Sequence, residues 1–169
     1  MKLEKTPNIT LHLGMKNGYT TVDEAIRVFC TTFGRLSSAA KQFLVVENDH
    51  VSFTVEDVLK VHEIIGIPVV FDNKHYEWNP GILSYDEAVK KALATWNMRI
   101  PKLHLSSDKE GKKHAHSDYV SICDYLKLEQ ALEKANAATC YVILECKEKD
   151  KAVVALKKQL EEINNEIER

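Results

Sequence analysis

The chain lacks any long apolar run, carries little net charge and has only four cysteines, and each shortage removes a class of protein. Its apolar stretches are far shorter than the roughly 20 residues that a membrane helix needs. The opening MKLEKTPN has no apolar signal region. A net charge of -2 gives no sign of the basic face usual in nucleic-acid binders, so any contact with nucleic acid has to come from local patches or from metal ions. Cys30, Cys123, Cys140 and Cys146 lie in apolar runs without C-x-x-C spacing, which predicts buried free thiols, no structural zinc and a reducing cytoplasm. Low-complexity linkers and short internal repeats are missing as well. The 169 residues, with 44% apolar side chains, therefore read as a single domain, 1–169.

What is present is a regular alternation. Continuous apolar runs predict strands at Ile9 to Leu13, Phe43 to Glu47, Pro68 to Phe71, Lys102 to Leu105 and Cys140 to Leu144. Runs such as FLVVE, PVVF and CYVILE suit strands covered on both faces, as in a parallel sheet. Amphipathic stretches follow, several opened by a capping box in which an acid stands three residues after a Thr or Ser: Thr21 with Glu24, Thr54 with Asp57, Ser84 with Glu87. Gly66 is placed to end one helix before the next strand. The last helix, from about Asp150 to Arg169, is highly charged and reads as a solvated face. Five consecutive βα units follow, in an α/β fold with a parallel sheet and right-handed crossovers; the sheet is either open and doubly wound or part of a barrel, since a full barrel needs eight.

Each strand ends on a residue able to bind a cation. His12 follows ITL, Glu47 follows FLVV, Asp72 follows VVF, His104 sits in KLHL and Glu145 follows YVIL. Strand C-termini converge in parallel βα proteins, so these five side chains are expected to meet. Taken singly, each has an ordinary structural role open to it, as a satisfied core histidine or a capping carboxylate. Together they favour a metal site, because an apolar mouth cannot hold three unpaired carboxylates without cations. His75 stands just past the third strand, and the loop GKKHAHSD brings His114 and His116 near His104. Mixed imidazole and carboxylate ligands suit Mn²⁺ or Zn²⁺. Several cations sharing such ligands suit in-line phosphodiester hydrolysis, and the same ligand types also serve sugar isomerases.

The segments LHLG at His12, FLVVENDHVSFTVEDVLKV around Glu47, GIPVVFDNKHYEWNP around Asp72, IPKLHLSS around Lys102, HAHSDYV around His116 and VILECKEKD around Glu145 occur in an order that resembles the UV damage endonuclease family. The resemblance runs over nearly the whole chain. It implies a TIM barrel like that of endonuclease IV, with up to three divalent cations, manganese foremost and zinc or magnesium as alternatives. It implies Glu47 as the bridging carboxylate, with Asp72, His104 and Glu145 around one ion, His12 on a second, and His75 with His116 on a third. Lys102, in the pattern P-K-x-H, matches a lysine that the family carries N-carboxylated. Glu47, Asp72, Lys102 and Glu145 would then be the catalytic set.

The implied activity is DNA repair: nicking damaged double-stranded DNA on the 5′ side of UV photoproducts and leaving a 3′-hydroxyl, in the bacterial cytoplasm or nucleoid and without a membrane partner. Two departures qualify it. The family barrel has three further βα units before the strand at His12, carrying another His ligand and a Gln-Tyr pair that probes the helix opposite the lesion. DNKHYEW also holds fewer histidines after the aspartate than the family pattern, with Tyr76 in place of one. The expectation is a partial (β/α) TIM barrel, the C-terminal part of an eight-stranded one. It is completed by the missing N-terminal units or a second copy, or else it is an inactive fragment that binds metal only.

Overall fold

The computed structural model of the protein describes residues 8–167. Five parallel strands, β1 (Ile9–Leu11), β2 (Leu44–Glu47), β3 (Val69–Asp72), β4 (Lys102–Leu105) and β5 (Tyr141–Leu144), pair in the order β1-β2-β3-β4-β5. The connecting helices are α1 (Val22–Gly34), α2 (Ser38–Lys41), α3 (Val55–Ile65), α4 (Asn73–Trp78), α5 (Tyr85–Ala94) and α6 (Ile122–Lys134), with α7 (Lys149–Ile167) after the last strand. A strand order that never reverses, with crossovers of one hand, sends every helix to the same side of the sheet. That settles the choice left open by the sequence: the sheet curls as part of a barrel and is not doubly wound.

The two faces of the sheet have different cores, as the period-2 alternation of strands requires. Val46, Val69, Phe71, Leu103 and Leu105 face the helices and pack with Ile26, Val58, Val61, Ala88, Ala92 and Leu128. On the inner face Val45 and Val70 form a small separate cluster with Trp96. The Trp96 indole donates to the Val69 carbonyl at 2.7 Å, which locks that ring beneath the sheet. Toward β5 the inner face is uncovered: Tyr141 and Ile143 are 41% and 42% exposed. They share a side with Lys102 and His104 through the β4–β5 register.

The helix starts follow local chemistry. Thr54–Asp57 and Ser84–Glu87 make complete capping boxes. At α1 the Thr21 hydroxyl accepts from the Glu24 N–H, but the Glu24 carboxylate reaches back one residue further, to the Thr20 N–H. Gly66 ends α3 with a φ of 70°, the left-handed conformation that only glycine adopts freely.

Several expectations shift. The first strand stops at Leu11, its last partner being Val46, so His12 and Leu13 leave the ladder. The short helices α2 and α4 interrupt what the pattern presented as loop. Cys30 is buried and Cys140 and Cys146 are half-buried, but Cys123 is exposed, because it lies in the first turn of α6 on the side away from the sheet. The last helix begins one residue early, at Lys149, and Glu168 and Arg169 lie outside the described residues. Among the described residues no helix is long and apolar enough to cross a membrane.

Leu103 is 1% exposed between sheet and helices, so Leu103→Ala should cost about 2–5 kcal/mol in urea unfolding. Ile82→Ala, at a side chain 95% exposed, should change stability by no more than about 0.5 kcal/mol in the same measurement.

Candidate metal centre

All five strands deliver a side chain to the same end of the sheet. Two groups of potential ligands result, each with its ligand atoms within 4.8 Å of one another: His12, Glu47 and His75, and Glu47, Asp72, His104 and Glu145. Glu47 belongs to both. His12, just past β1, is the exposed member, with Nε2 3.6 Å from Glu47 Oε2. Glu47, Asp72, His75 and His104 are buried.

A repeated device sets the strand ends. Asn48, directly after Glu47, donates its amide to the Asp72 carbonyl at 3.1 Å and accepts the Asp72 N–H at 3.0 Å. Asn73, directly after Asp72, clamps Ser106 in the same way, at 3.0 and 2.9 Å. Each carboxylate is thus followed by an amide that fastens its strand end to the next strand. Asp72 in turn caps α4, its Oδ1 accepting the His75 N–H at 2.7 Å.

The hydrogen bonds also fix two imidazoles. His75 Nδ1 lies 3.0 Å from the Asn48 carbonyl and His116 Nδ1 lies 2.9 Å from the Glu145 carbonyl. A carbonyl can only accept, so Nδ1 carries a proton in both rings and Nε2 is the ring atom left to meet a cation. The two rings stand 6.0 Å apart, and His116 Nδ1 lies 3.7 Å from Glu145 Oε2.

The electrostatics are those of a cation site. Burial, reinforced by the Glu47 charge, pushes the Asp72 carboxyl up to about 8. His104 is pulled toward neutrality by burial, but the Glu145 and Glu47 carboxylates overcome this and raise it to about 10. The hydrogen bond to His104 holds Glu145 below the usual carboxylate value, and burial lowers His75.

Two features test whether the residues suit a metal ion. Asp72 Oδ2 is buried with no hydrogen-bond partner. Glu47 Oε1 and Glu145 Oε1 both stand 2.9 Å from the same nitrogen, His104 Nδ1, which has one proton to give in one direction. Three carboxylates and one imidazole converging there suit a divalent cation with several coordination directions.

Lys102 is not part of either group. It opens β4, half-buried, on the same face as His104 but two residues deeper. Among the described residues its ammonium enters no hydrogen bond or ion pair.

Of the neighbours of the centre, Asp49 and His50 were not singled out by sequence. Asp49 turns the loop after β2 by accepting three N–H groups, from Val51, Ser52 and Phe53, and so presents His50 at the mouth. Trp78 stands 5.4–6.2 Å from the rings of His50, His75, His114 and His116, and its indole donates to Asp108 at 2.8 Å. The Tyr76 hydroxyl is taken by the Leu83 carbonyl at 2.8 Å. Both side chains are therefore engaged within the chain. The repeated carboxylate–Asn dipeptide, Glu47-Asn48 and Asp72-Asn73, was the available signal for the clamps.

Binding of a divalent cation has to displace the protons held by Asp72 and His104, so Mn²⁺ titrations at about pH 7 should release protons. Calorimetry in buffers of different ionisation enthalpy should give different apparent heats, and affinity should rise from about pH 6 to about pH 8. Identical heats in all buffers would contradict the protonation pattern.

Comparison with known proteins identifies the family. The family model described as UV-endonuclease UvdE matches residues 1–169. A UV DNA damage endonuclease from Clostridium perfringens is 31% identical over 169 residues, covering 97% of this chain and 40% of the relative. One from Bacillus velezensis is 34% identical over 160 residues, covering 92% of this chain and 49% of the relative. A solved structure described as "Crystal Structure of SacUVDE" superposes with a TM-score of 0.81 at 27% identity, over 93% of this chain and 52% of that one. The chain thus spans about half the length of the curated relatives it matches. On sequence and on fold, it belongs to the UvdE family of UV-endonucleases.

Proposed function

We propose that the chain carries the metal platform of a DNA repair endonuclease that nicks damaged double-stranded DNA on the 5′ side of UV photoproducts, with manganese as the foremost cation. The observation that carries this reading is Glu47 shared between two sets of ligands at the strand ends. Divalent cations held there would supply charge stabilisation at a phosphoryl oxygen and would lower the pKa of water toward neutrality.

The chain's own residues have distinct tasks in this scheme. Glu47 couples the two sets. Asp72, His104 and Glu145 complete the deeper one, while His12 and His75 complete the outer one. His116, which the family resemblance places with His75 on a third ion, stands beside both His75 and Glu145. Lys102 is assigned to the catalytic set, as an N-carboxylated side chain, on that resemblance alone.

Charge near the mouth suits a phosphate backbone despite the overall charge of -2. A cleft of about 470 Å³ is lined by Lys112, His116, Glu145 and Lys147, and one of about 460 Å³ on the opposite flank by His12, Lys16 and His50. Lysines on both sides of the ligands would hold phosphates on either side of a scissile bond. The four free cysteines fit a reducing cytoplasm.

A second reading is favoured by one observation. The uncovered inner face at Tyr141 and Ile143 fits a platform that binds metal but cuts only when further barrel units, or a second copy, cover that face.

The test is nicking of UV-irradiated against untreated supercoiled plasmid with Mn²⁺, scored beside Glu47→Gln. Selective nicking that falls to background in the variant is the expected outcome. Full cutting by Glu47→Gln would remove the assigned centre. Absence of cutting by folded, manganese-loaded chain would select the second reading.

A further inference from the structure

Lys74 is a buried cation outside both ligand sets. Its side chain is 5% exposed, yet it lies on α4 between Asn73 and His75, one residue from a candidate ligand. Three carboxylates surround the ammonium: Glu77 at 2.6 Å, Asp124 at 3.0 Å and Asp108 at 3.2 Å. Burying a lysine is costly, and a lysine that serves only to pair with its own helix could do so at the surface. The three partners come from three places: Glu77 from α4 itself, Asp124 from α6, and Asp108 from the excursion between β4 and α6.

That excursion carries His116. Asp108 faces His116 in an isolated antiparallel bridge, and the Ser117 N–H returns to the Ser107 carbonyl at 2.8 Å. Asp108 also takes the Trp78 indole at 2.8 Å. Asp124 accepts the Ser107 hydroxyl at 2.5 Å, and that oxygen accepts the Ser121 N–H at 2.7 Å. The base of the excursion is therefore held from two sides, and both lines meet at the Lys74 ammonium. Asn73 fastens only its upstream root, at Ser106.

We propose that Lys74 is a positioning residue of the metal centre: by gripping Asp108 and Asp124 it sets the spacing between His75, its neighbour on α4, and His116 on the excursion. The inference rests on the metal centre proposed above. It assigns Lys74 no contact with cation or substrate. Its action passes through the carboxylates to the loop, and from the loop to an imidazole whose Nε2 is otherwise free to ligate.

The arrangement separates this role from plain stabilisation. Glu77 makes the shortest and more buried bridge to Lys74 but does not touch the excursion, and it also pairs with Lys127 at 2.6 Å. Asp108 makes the longest bridge, with a side chain 57% exposed, but it opposes His116. If Lys74 only stabilised the fold, Glu77→Gln would be the more damaging of the two. If Lys74 positions His116, Asp108→Asn would be.

The experiment is Mn²⁺ titration by calorimetry and electron paramagnetic resonance on the full chain, for wild type, Lys74→Met, Asp108→Asn, Glu77→Gln and His116→Ala, with urea midpoints measured alongside. Lys74→Met and Asp108→Asn should weaken the same class of site that His116→Ala removes, by about tenfold or more, as outer supports of metal ligands do. Glu77→Gln should leave that class unchanged. Asp108→Asn acts at the surface, so it still reports if Lys74→Met fails to fold. Wild-type binding with the His116-dependent site intact in Asp108→Asn, or equally lost in Glu77→Gln, would overturn the positioning role while leaving the metal centre standing. No manganese binding by the wild type would overturn both.

Discussion

Glu47 and Asp72 end adjacent parallel strands almost out of reach of water, and much of the molecule answers to that concentration of charge. Two unit charges within 4.8 Å repel by about 3.5 kcal/mol at an effective dielectric near 20. Glu145 adds a third negative group to the same group. Without a cation, the chain keeps the cluster by placing protons on Asp72 and His104, and by using amides and backbone groups that favour one arrangement of the carboxylates. The clamps at Asn48 and Asn73 act on the backbone, so they hold the strand ends in place whatever the charge state of the side chains.

The division of labour between the two sheet faces follows from this. The face toward the helices is apolar over its whole length, and there the stability resides. On the inner face Trp96 covers Val45 and Val70 at depth, while carboxylates and imidazoles gather toward the strand ends. The helix-side core can therefore be repacked with little direct consequence for the centre, whereas the inner face has no spare apolar contact to draw on.

Much of this was legible in the sequence because strands announce their own ends. The residues at His12, Glu47, Asp72, His104 and Glu145 were found by locating each apolar run and reading what came next, and the structure brings all five together. The βα succession and two of the capping boxes were legible for the same reason, since each lies within a few residues of chain. What escaped was long-range. Nothing near Lys74 in sequence reveals that Asp108 and Asp124 will close around it. Cys123 misled because an apolar run at a helix start says nothing of which side turns to solvent. The halt of β1 at Leu11, one pair short of the end of β2, follows no local pattern.

The strand order has a last consequence, which concerns shape. In a flat sheet, strands about 4.8 Å apart would put the side chains of the first and fifth strands about 19 Å from each other. Here rings and carboxylates hand over in steps of a few ångströms, from His12 to His75 at 5.4 Å, to His116 at 6.0 Å, and to Glu145 at 3.7 Å. The ligand spacings are thus a gauge of sheet curvature. A partner that flattened the sheet would pull the ligand sets apart without touching a single one of their side chains, and one that tightened the curl would draw them together.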